Sequence, residues 1–540
     1  MRCILTKVAT TLANADWMWS VDSTTVSSVE VSIAGRGLSA LKALAQHVGI
    51  METLWIIASL TLAYCIASVV YRLCFHPLSK FPGPPLLAAT YVPYVYSNFL
   101  RGEWTRKMPA LHRKYGPAVR IGPDHIAVDG SIAWQEVFGY RKGRQEFLRV
   151  PNLYETEQVN ILTAHHDSHR RQRRQLAPAF NDSALIRQDP TVRKYVRMLL
   201  DRFEERARLD QPVNVVEWFN LTLFDITGDL LFSDSFHSLA NNGTHPWIRF
   251  IVQSFRGTAM QRVYQIYPIA GLFRIMTVWS TPQTIRRYGT EKSMARLARG
   301  EEISPGQKDV TSYMLRQASH GGKAMTRAEV LSTSPTLVVA GSETTATALS
   351  GFCFYTARNP RVYAVLAEEI RSLFKTEDEI TLQSAAAAEY LQAVINETLR
   401  VYPPFAELLT RLSPGDTVDG KYVPSGTRVS AYHWATFRNP EHFVDPDEFL
   451  PERWLTKDHA LYDERFEADN KAIYKPFSCG PRDCLGKRLA QAEMRYIIAG
   501  LFLRFDFELA HGQDDWHDNQ KTFTIWEKSP LYVRLRPRFD

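Results

Sequence analysis

The sequence predicts a mainly α-helical protein with a small β-sheet portion, preceded by one N-terminal transmembrane helix. Three observations carry this expectation. The nineteen residues between Glu52 and Arg72, TLWIIASLTLAYCIASVVY, hold no formal charge. Long stretches of the remaining chain repeat apolar residues at three- and four-residue spacing, the period of a helix with one buried face. Alternating, Gly- and Pro-rich text of the kind that forms strands and turns is confined to two short regions.

In chain order, residues 1–50 show no clear organisation, and Met51 stands just ahead of the apolar stretch, so this segment is expected to be a dispensable extension. At about 1.5 Å per residue, nineteen residues reach roughly 28 Å, enough to cross a bilayer core. Trp55 and Tyr71 lie near the two ends, where interfacial aromatics sit. The expected anchor is 51–72. A buried core helix suits a stretch apolar on every face less well, and a cleaved signal peptide would start nearer Met1. Basic residues flank the stretch on both sides (Arg36 and Lys42 before, Arg72 and Lys80 after), so charge does not set its orientation. Next comes FHPLSKFPGPP, with four prolines in eleven residues, which cannot continue a helix. It reads as a stiff hinge, 73–86, ahead of a catalytic body, 87–540.

Within the body, AVRIGPDHIAV reads as a hairpin from Ala118 to Val128 around a Gly-Pro turn. VRKYVRMLLDRFEERARL, VVEWFNLTLFDITGDLLF and VYAVLAEEIRSLF carry helical periodicity. Strand-like text returns between Pro403 and Pro451. A last long helix places Leu485, Leu489, Ala492, Tyr496 and Ile497 on one face.

Composition narrows the class. The chain has 540 residues, 45% hydrophobic and 22% charged, which excludes a disordered protein and provides for a large core. A net charge of +7 is too diffuse to indicate nucleic acid and suits a surface near anionic lipid or an acidic partner. Six cysteines, at 3, 65, 74, 353, 479 and 484, are too sparse for a disulfide framework.

Two of them fall in PFSCGPRDCLGKRLA, Pro476 to Ala490. A zinc site would require about four Cys or His ligands, and no second pair is suitably spaced. A C-x4-C-x2-C iron–sulfur site lacks its third cysteine, because position 487 is Lys. One thiolate on a heme iron requires a single cysteine, glycines that let backbone N–H groups approach the sulfur, and a cation for the propionates. Phe477, Gly480, Arg482, Cys484 and Gly486 supply these.

The pattern F-x-x-G-x-R-x-C-x-G resembles the heme-binding signature of the cytochrome P450 family. The resemblance implies the P450 fold, a heme cofactor, Cys484 as the axial ligand of its iron, and a merely space-filling role for Cys479. AGSETT, Ala340 to Thr345, resembles the family's oxygen-binding stretch, with Glu343 and Thr344 as the acid–alcohol pair that delivers protons. ETLR, Glu397 to Arg400, with Arg453 of PERW, resembles the structural Glu-Arg-Arg triad. HRRQRR resembles the helix that contributes a tryptophan and an arginine to the propionates; here these are His169, a departure from the pattern, and Arg173. Arg170, Arg171 and Arg174, with Lys475, Lys487 and Arg488, form either a solvated basic face or a docking patch for an acidic redox partner. Pro335 interrupts a helix the family keeps continuous, so either a kink or a later helix start is expected.

The text before and around these motifs is similar to that of membrane-anchored fungal members, in the manner of a trichothecene C-15 hydroxylase. The implied reaction inserts one oxygen atom of O2 into a lipophilic small molecule, with electrons from NADPH through a separate P450 reductase. The implied location is the endoplasmic reticulum membrane, single-pass, with a cytosolic body. Substrate-facing segments, by family position, are 147–161, 247–275, 332–340 and 404–409. Glu407 is the charged exception among them, turned to solvent or holding a substrate hydroxyl or amine. An O2-independent heme-thiolate isomerase and a non-catalytic heme sensor are the rival readings.

Overall fold

In the computed structural model, residues 50–150, 160–241, 256–257, 259–268, 281–301, 308–316 and 323–539 are described. The extension ahead of the anchor and much of the 147–161 and 247–275 segments lie outside them. The chain divides into two units, Met1–Tyr71 and Arg72–Asp540.

In the first unit the uncharged stretch forms α1 (Ile50–Val70), and a π-helical turn at Tyr71–Phe75 continues it. The combined helix, Met51–Phe75, is long and apolar enough to cross a membrane, and none of it is buried in the protein. Trp55, Leu60 and Tyr64 are exposed on different faces. Such a helix lowers its free energy by entering lipid rather than by packing.

The second unit begins with the proline-rich stretch, which differs from the expected hinge. Leu78 and Phe81 are buried in an apolar cluster with Val128, Val418 and Val423. Arg120 N donates to Pro82 O at 2.7 Å. The prolines supply extended backbone that β1 (Ala118–Gly122) can bond, so the stretch is part of the body and not a free spacer.

The body's helices follow the periodic segments. α2 (Trp104–Tyr115), α3 (His166–Leu176), α4 (Asp182–Arg208) and α5 (Val215–Phe232) precede the central helix α6 (Arg327–Ala357), followed by α7 (Pro360–Leu373), α8 (Glu389–Val401) and α9 (Lys487–Arg504). α5 is apolar almost all round because it is buried almost all round, and it packs along α6. α6 opens on a capping box, in which Thr326 accepts from Glu329 N and Glu329 accepts from Thr326 N. It runs without interruption through Pro335, so the helix does not start there. Ser334 and Thr336, on either side of the proline, donate to Val330 O and Ser332 O at 2.9 and 3.1 Å, the back-bonding to i−4 that hydroxyl residues make inside helices.

The predicted hairpin is present as β1 and β2 (His125–Val128), in register Ala118↔Val128. It joins β3 (Leu148–Arg149), β4 (Arg411–Leu412) and β5 (Arg428–Ser430) in a five-stranded sheet of order β1-β2-β5-β4-β3. β2 and β5 are parallel and the other pairs antiparallel. β4 places Arg411 beside the glycine-rich cysteine loop, and α9 starts directly after that loop.

Candidate active site

The segment from Phe477 to Cys484 is a closed loop, with Cys484 N donating to Phe477 O at 3.0 Å. Ser478 and Gly480 take positive φ, at 61° and 78°. At Gly480 a side chain is excluded twice: by φ, and because a Cβ there would overlap the Phe138 carbonyl oxygen. Gly486 caps α9, and its N–H reaches the Cys484 sulfur. Cys484 is exposed, yet burial by its surroundings pushes its thiol up, against the Gly486 N–H and the Arg173 and Lys487 charges. Cys479 is half-buried, its sulfur donating to Trp134 O at 3.6 Å, and it packs in the sheet's apolar cluster. Phe477 is partly buried against the main core, with the Lys487 ammonium 5.8 Å from its ring centre.

Beside the loop sits a cluster of cations. Arg482 pairs with Glu146 and donates to Ala164 O at 2.7 Å. His169 is buried, and burial and the Arg482 charge hold its imidazole down at about 4, so at neutral pH it is an uncharged donor. Arg411 is buried beside Arg482, with Phe138 4.9 Å from its guanidinium, and its Nε has no hydrogen-bond partner. Burial and then Arg482 lower its pKa to about 10. Arg149 adds a third positive charge near Arg411, and Glu146 a carboxylate. An unpaired buried N–H in a positive cluster is costly unless an anion meets it. This donor set fits the two propionates of an iron porphyrin, above a cysteine held for its iron. Arg173, expected at a propionate, pairs with the Asp483 carboxylate and donates to Asp483 O at 2.7 Å, which braces the cysteine loop. Arg171 pairs with Glu329 at the start of α6, which removes it from any docking patch. Arg170, Lys487 and Arg488 remain exposed.

On α6, Thr344 is half-buried and its hydroxyl donates to Ala340 O at 2.8 Å. Glu343 is buried, but its carboxylate faces away from Thr344 and pairs with Lys528. The expected acid–alcohol pair is therefore adjacent in sequence without touching. Gly341 lies against Thr227, which a Cβ would meet at 3.1 Å.

The triad is fully formed. Glu397, Arg400 and Arg453 have 0% side-chain exposure. Glu397 accepts from Arg400 Nε and Nη2 at 2.9 and 2.8 Å, Arg453 Nε at 3.1 Å, Trp454 Nε1 at 2.9 Å and Leu450 N at 2.8 Å. Burial works against its charge, but the two guanidiniums prevail and hold its carboxyl below the ordinary value. Arg400 spans to Phe437 O and Glu448 O, and Arg453 to Asp469 Oδ2 at 2.6 Å. One carboxylate thus ties α8 to the irregular chain that leads to the cysteine loop. Glu407 does not reach solvent: it is 5% exposed, takes one long bond from Asn98 at 3.4 Å, and burial pushes its carboxyl up.

Two residues had no signal strong enough to be singled out in the sequence. Arg411 is a lone arginine after the apolar run FAELL, noticeable only once β4 brings it to Arg482. Lys528 belongs to no motif and meets Glu343 only through the C-terminal chain path.

Comparison with known proteins agrees with this geometry. A family model described as Cytochrome P450 matches residues 82–534. The chain is 37% identical over 487 residues to the Cytochrome P450 monooxygenase astA of Talaromyces wortmannii, covering 89% of this chain and 97% of that protein. It is 36% identical over 493 residues to the Cytochrome P450 monooxygenase lcsI of Purpureocillium lilacinum, covering 89% and 93%. To the Trichothecene C-15 hydroxylase of Fusarium sporotrichioides it is 36% identical over 502 residues, covering 90% and 99%. With a cysteine loop, a cation cluster and a triad built as the family's chemistry requires, and a match across nearly the whole body, the chain belongs to the cytochrome P450 family and is a heme-thiolate monooxygenase.

Proposed function

We propose that this protein inserts one oxygen atom of O2 into an apolar small molecule, by hydroxylation or epoxidation, at a membrane of the endoplasmic reticulum. A terpenoid or polyketide intermediate of fungal secondary metabolism is the substrate class, a reading supported by likeness to a trichothecene hydroxylase. Electrons come from NADPH through a separate reductase, which docks on the exposed basic residues beside the cysteine loop. The observation that carries the reading is the closed loop from Phe477 to Cys484, with Arg482, His169 and Arg411, whose Nε has no hydrogen-bond partner, beside it.

Cys484 would hold the heme iron as thiolate, with Gly486 N–H moderating the charge on its sulfur. Arg482, Arg411 and His169 would hold its propionates. When bound, the heme supplies the activation of O2. Thr344 presents a hydroxyl oxygen whose proton is already given to Ala340 O, so its lone pairs are free to accept. Glu343 supplies the carboxylate that passes a proton toward it. Buried residues of α5 and α6 exclude water from behind the site.

The test is turnover of fungal terpenoid and polyketide precursors with NADPH and a fungal reductase. O2-dependent product carrying one oxygen from labelled O2 supports the reading. Product without O2 would make the protein an isomerase, and heme binding with no turnover of any precursor a sensor.

A further inference from the structure

We propose, on the basis of the monooxygenase reading, that Lys528 is a positioning residue that holds the Glu343 carboxylate away from Thr344, so that the acid reaches the hydroxyl only when this ion pair opens. Successive residues on a helix are separated by about 100° of rotation and do not face each other. Glu343 and Thr344 follow this rule: the hydroxyl turns back to Ala340 O, while the carboxylate leaves on the face shared with Thr347, one turn later. Lys528 clamps that face. Its Nζ bonds the Glu343 carboxylate and donates to Thr347 Oγ1 at 2.6 Å, and Thr347 in turn donates to Glu343 O at 2.8 Å.

The clamp is rigid from the lysine side. Lys528 follows the strand Ile525–Glu527, where Trp526 Nε1 donates to Pro403 O at 2.8 Å. It precedes Ser529, whose carbonyl accepts from Trp516 Nε1 at 2.8 Å. Side-chain exposure is 3% for Lys528 and 5% for Glu343. Two charges out of water attract strongly, but their desolvation cancels most of the gain, so a pair of this kind is a weak stabiliser and a sensitive switch. Among the described residues, the titratable groups that face the carboxylate are Lys528 and, at the end of α8, Tyr402. Tyr402 donates to Gln520 Oε1 at 2.5 Å, and burial pushes its phenol far up, so it stays neutral. The lysine is the group that fixes the charge and direction of the acid.

The test compares K528M, K528R and K528M/E343Q with the parent protein. Without Lys528 the buried carboxyl has lost its cation, and burial favours its neutral form. The infrared spectrum of K528M at neutral pH is expected to show a carboxylic-acid carbonyl band that the parent lacks and that K528M/E343Q also lacks. This readout requires neither substrate nor bound heme, so its failure is distinct from failure of the monooxygenase reading. In turnover, the ratio of product formed per NADPH consumed, K528M over parent, is expected to change by about tenfold between about pH 6 and about pH 9. K528R is expected to restore the parent profile, and the same ratio for K528M/E343Q over E343Q is expected to stay flat. If K528M only lowers thermal stability, with no new carbonyl band and a pH profile parallel to the parent's, Lys528 merely fastens the C-terminal segment and the proposal is overturned.

Discussion

Replacing Glu397 with alanine removes the acceptor of five hydrogen bonds from the centre of the triad. In the parent, Arg400 and Arg453 are balanced by Glu397 and Asp469, all closely bonded, so the buried cluster is neutral. In E397A it carries one uncompensated positive charge. Breaking a buried pair from one side costs about 3–5 kcal/mol. That is a large share of the roughly 5–15 kcal/mol that holds an ordinary domain together. It corresponds to a hundred- to several-thousand-fold change, on the order of tenfold per 1.4 kcal/mol, in the population of the open form. The damage is directional, because Glu397 bonds Leu450 N and Trp454 Nε1 and so ties α8 to the chain entering the cysteine loop. E397Q retains the volume and one oxygen and should lose less. The assay is heme content by absorbance after expression with added heme precursor, with denaturant midpoints of the parent and both variants. The expected order is parent, E397Q, then E397A with little or no heme. An E397A protein with full heme content and the parent's midpoint would refute the structural role of the triad.

Further outcomes concern the loop and pH. C484S should lose the thiolate signature in the spectrum of the reduced carbon monoxide complex, whereas C479S should retain it, since Cys479 only packs against the sheet cluster; the opposite pattern would reverse the ligand assignment. G480A should fold without a competent heme site, because the added methyl meets the Phe138 carbonyl and an L side chain resists φ of 78°; normal heme uptake by G480A would contradict this. His442 Nε2 and Asp129 Oδ1 lie 2.7 Å apart in a buried pair. Burial opposes both charges, yet their mutual bond raises the His442 pKa and holds Asp129 down at about 2. The histidine's contribution is complete below its ordinary pKa and is lost as pH rises through the raised folded value; the aspartate's is present above its ordinary pKa and is lost as pH falls toward about 2. Denaturation midpoints of the parent should therefore fall on both sides, and D129N should flatten the alkaline side; an unchanged alkaline slope in D129N would count against the pair.

Much of the fold was legible because it is local. α5 coincides with the segment VVEWFNLTLFDITGDLLF, and β1 and β2 with the predicted hairpin, since periodicity and a Gly-Pro turn act over a few residues. The proline stretch was harder to read: four prolines exclude a continuous helix and allow only short turns, and whether the chain between them hangs free or pairs with a strand depends on a partner, Arg120, some forty residues away. Pro335 misleads because a proline can stand inside a long helix, and α6 runs on through it.

The sequence by itself determined the long apolar helix ahead of the body, the mainly helical body, the glycine-rich cysteine loop, and the partners within the Glu397–Arg400 pair. Each is set by residues close along the chain, where spacing alone dictates which groups meet. Tertiary structure decided what those residues face. It turned Arg173 to Asp483, brought Arg411 with an open donor to Arg482, buried Glu407, and set Lys528 between Glu343 and Thr347. A charged group's partner depends on which distant segment arrives beside it. The desolvation penalty of burial then makes that arrival decide whether the group braces a loop, awaits an anion or holds a proton donor in check.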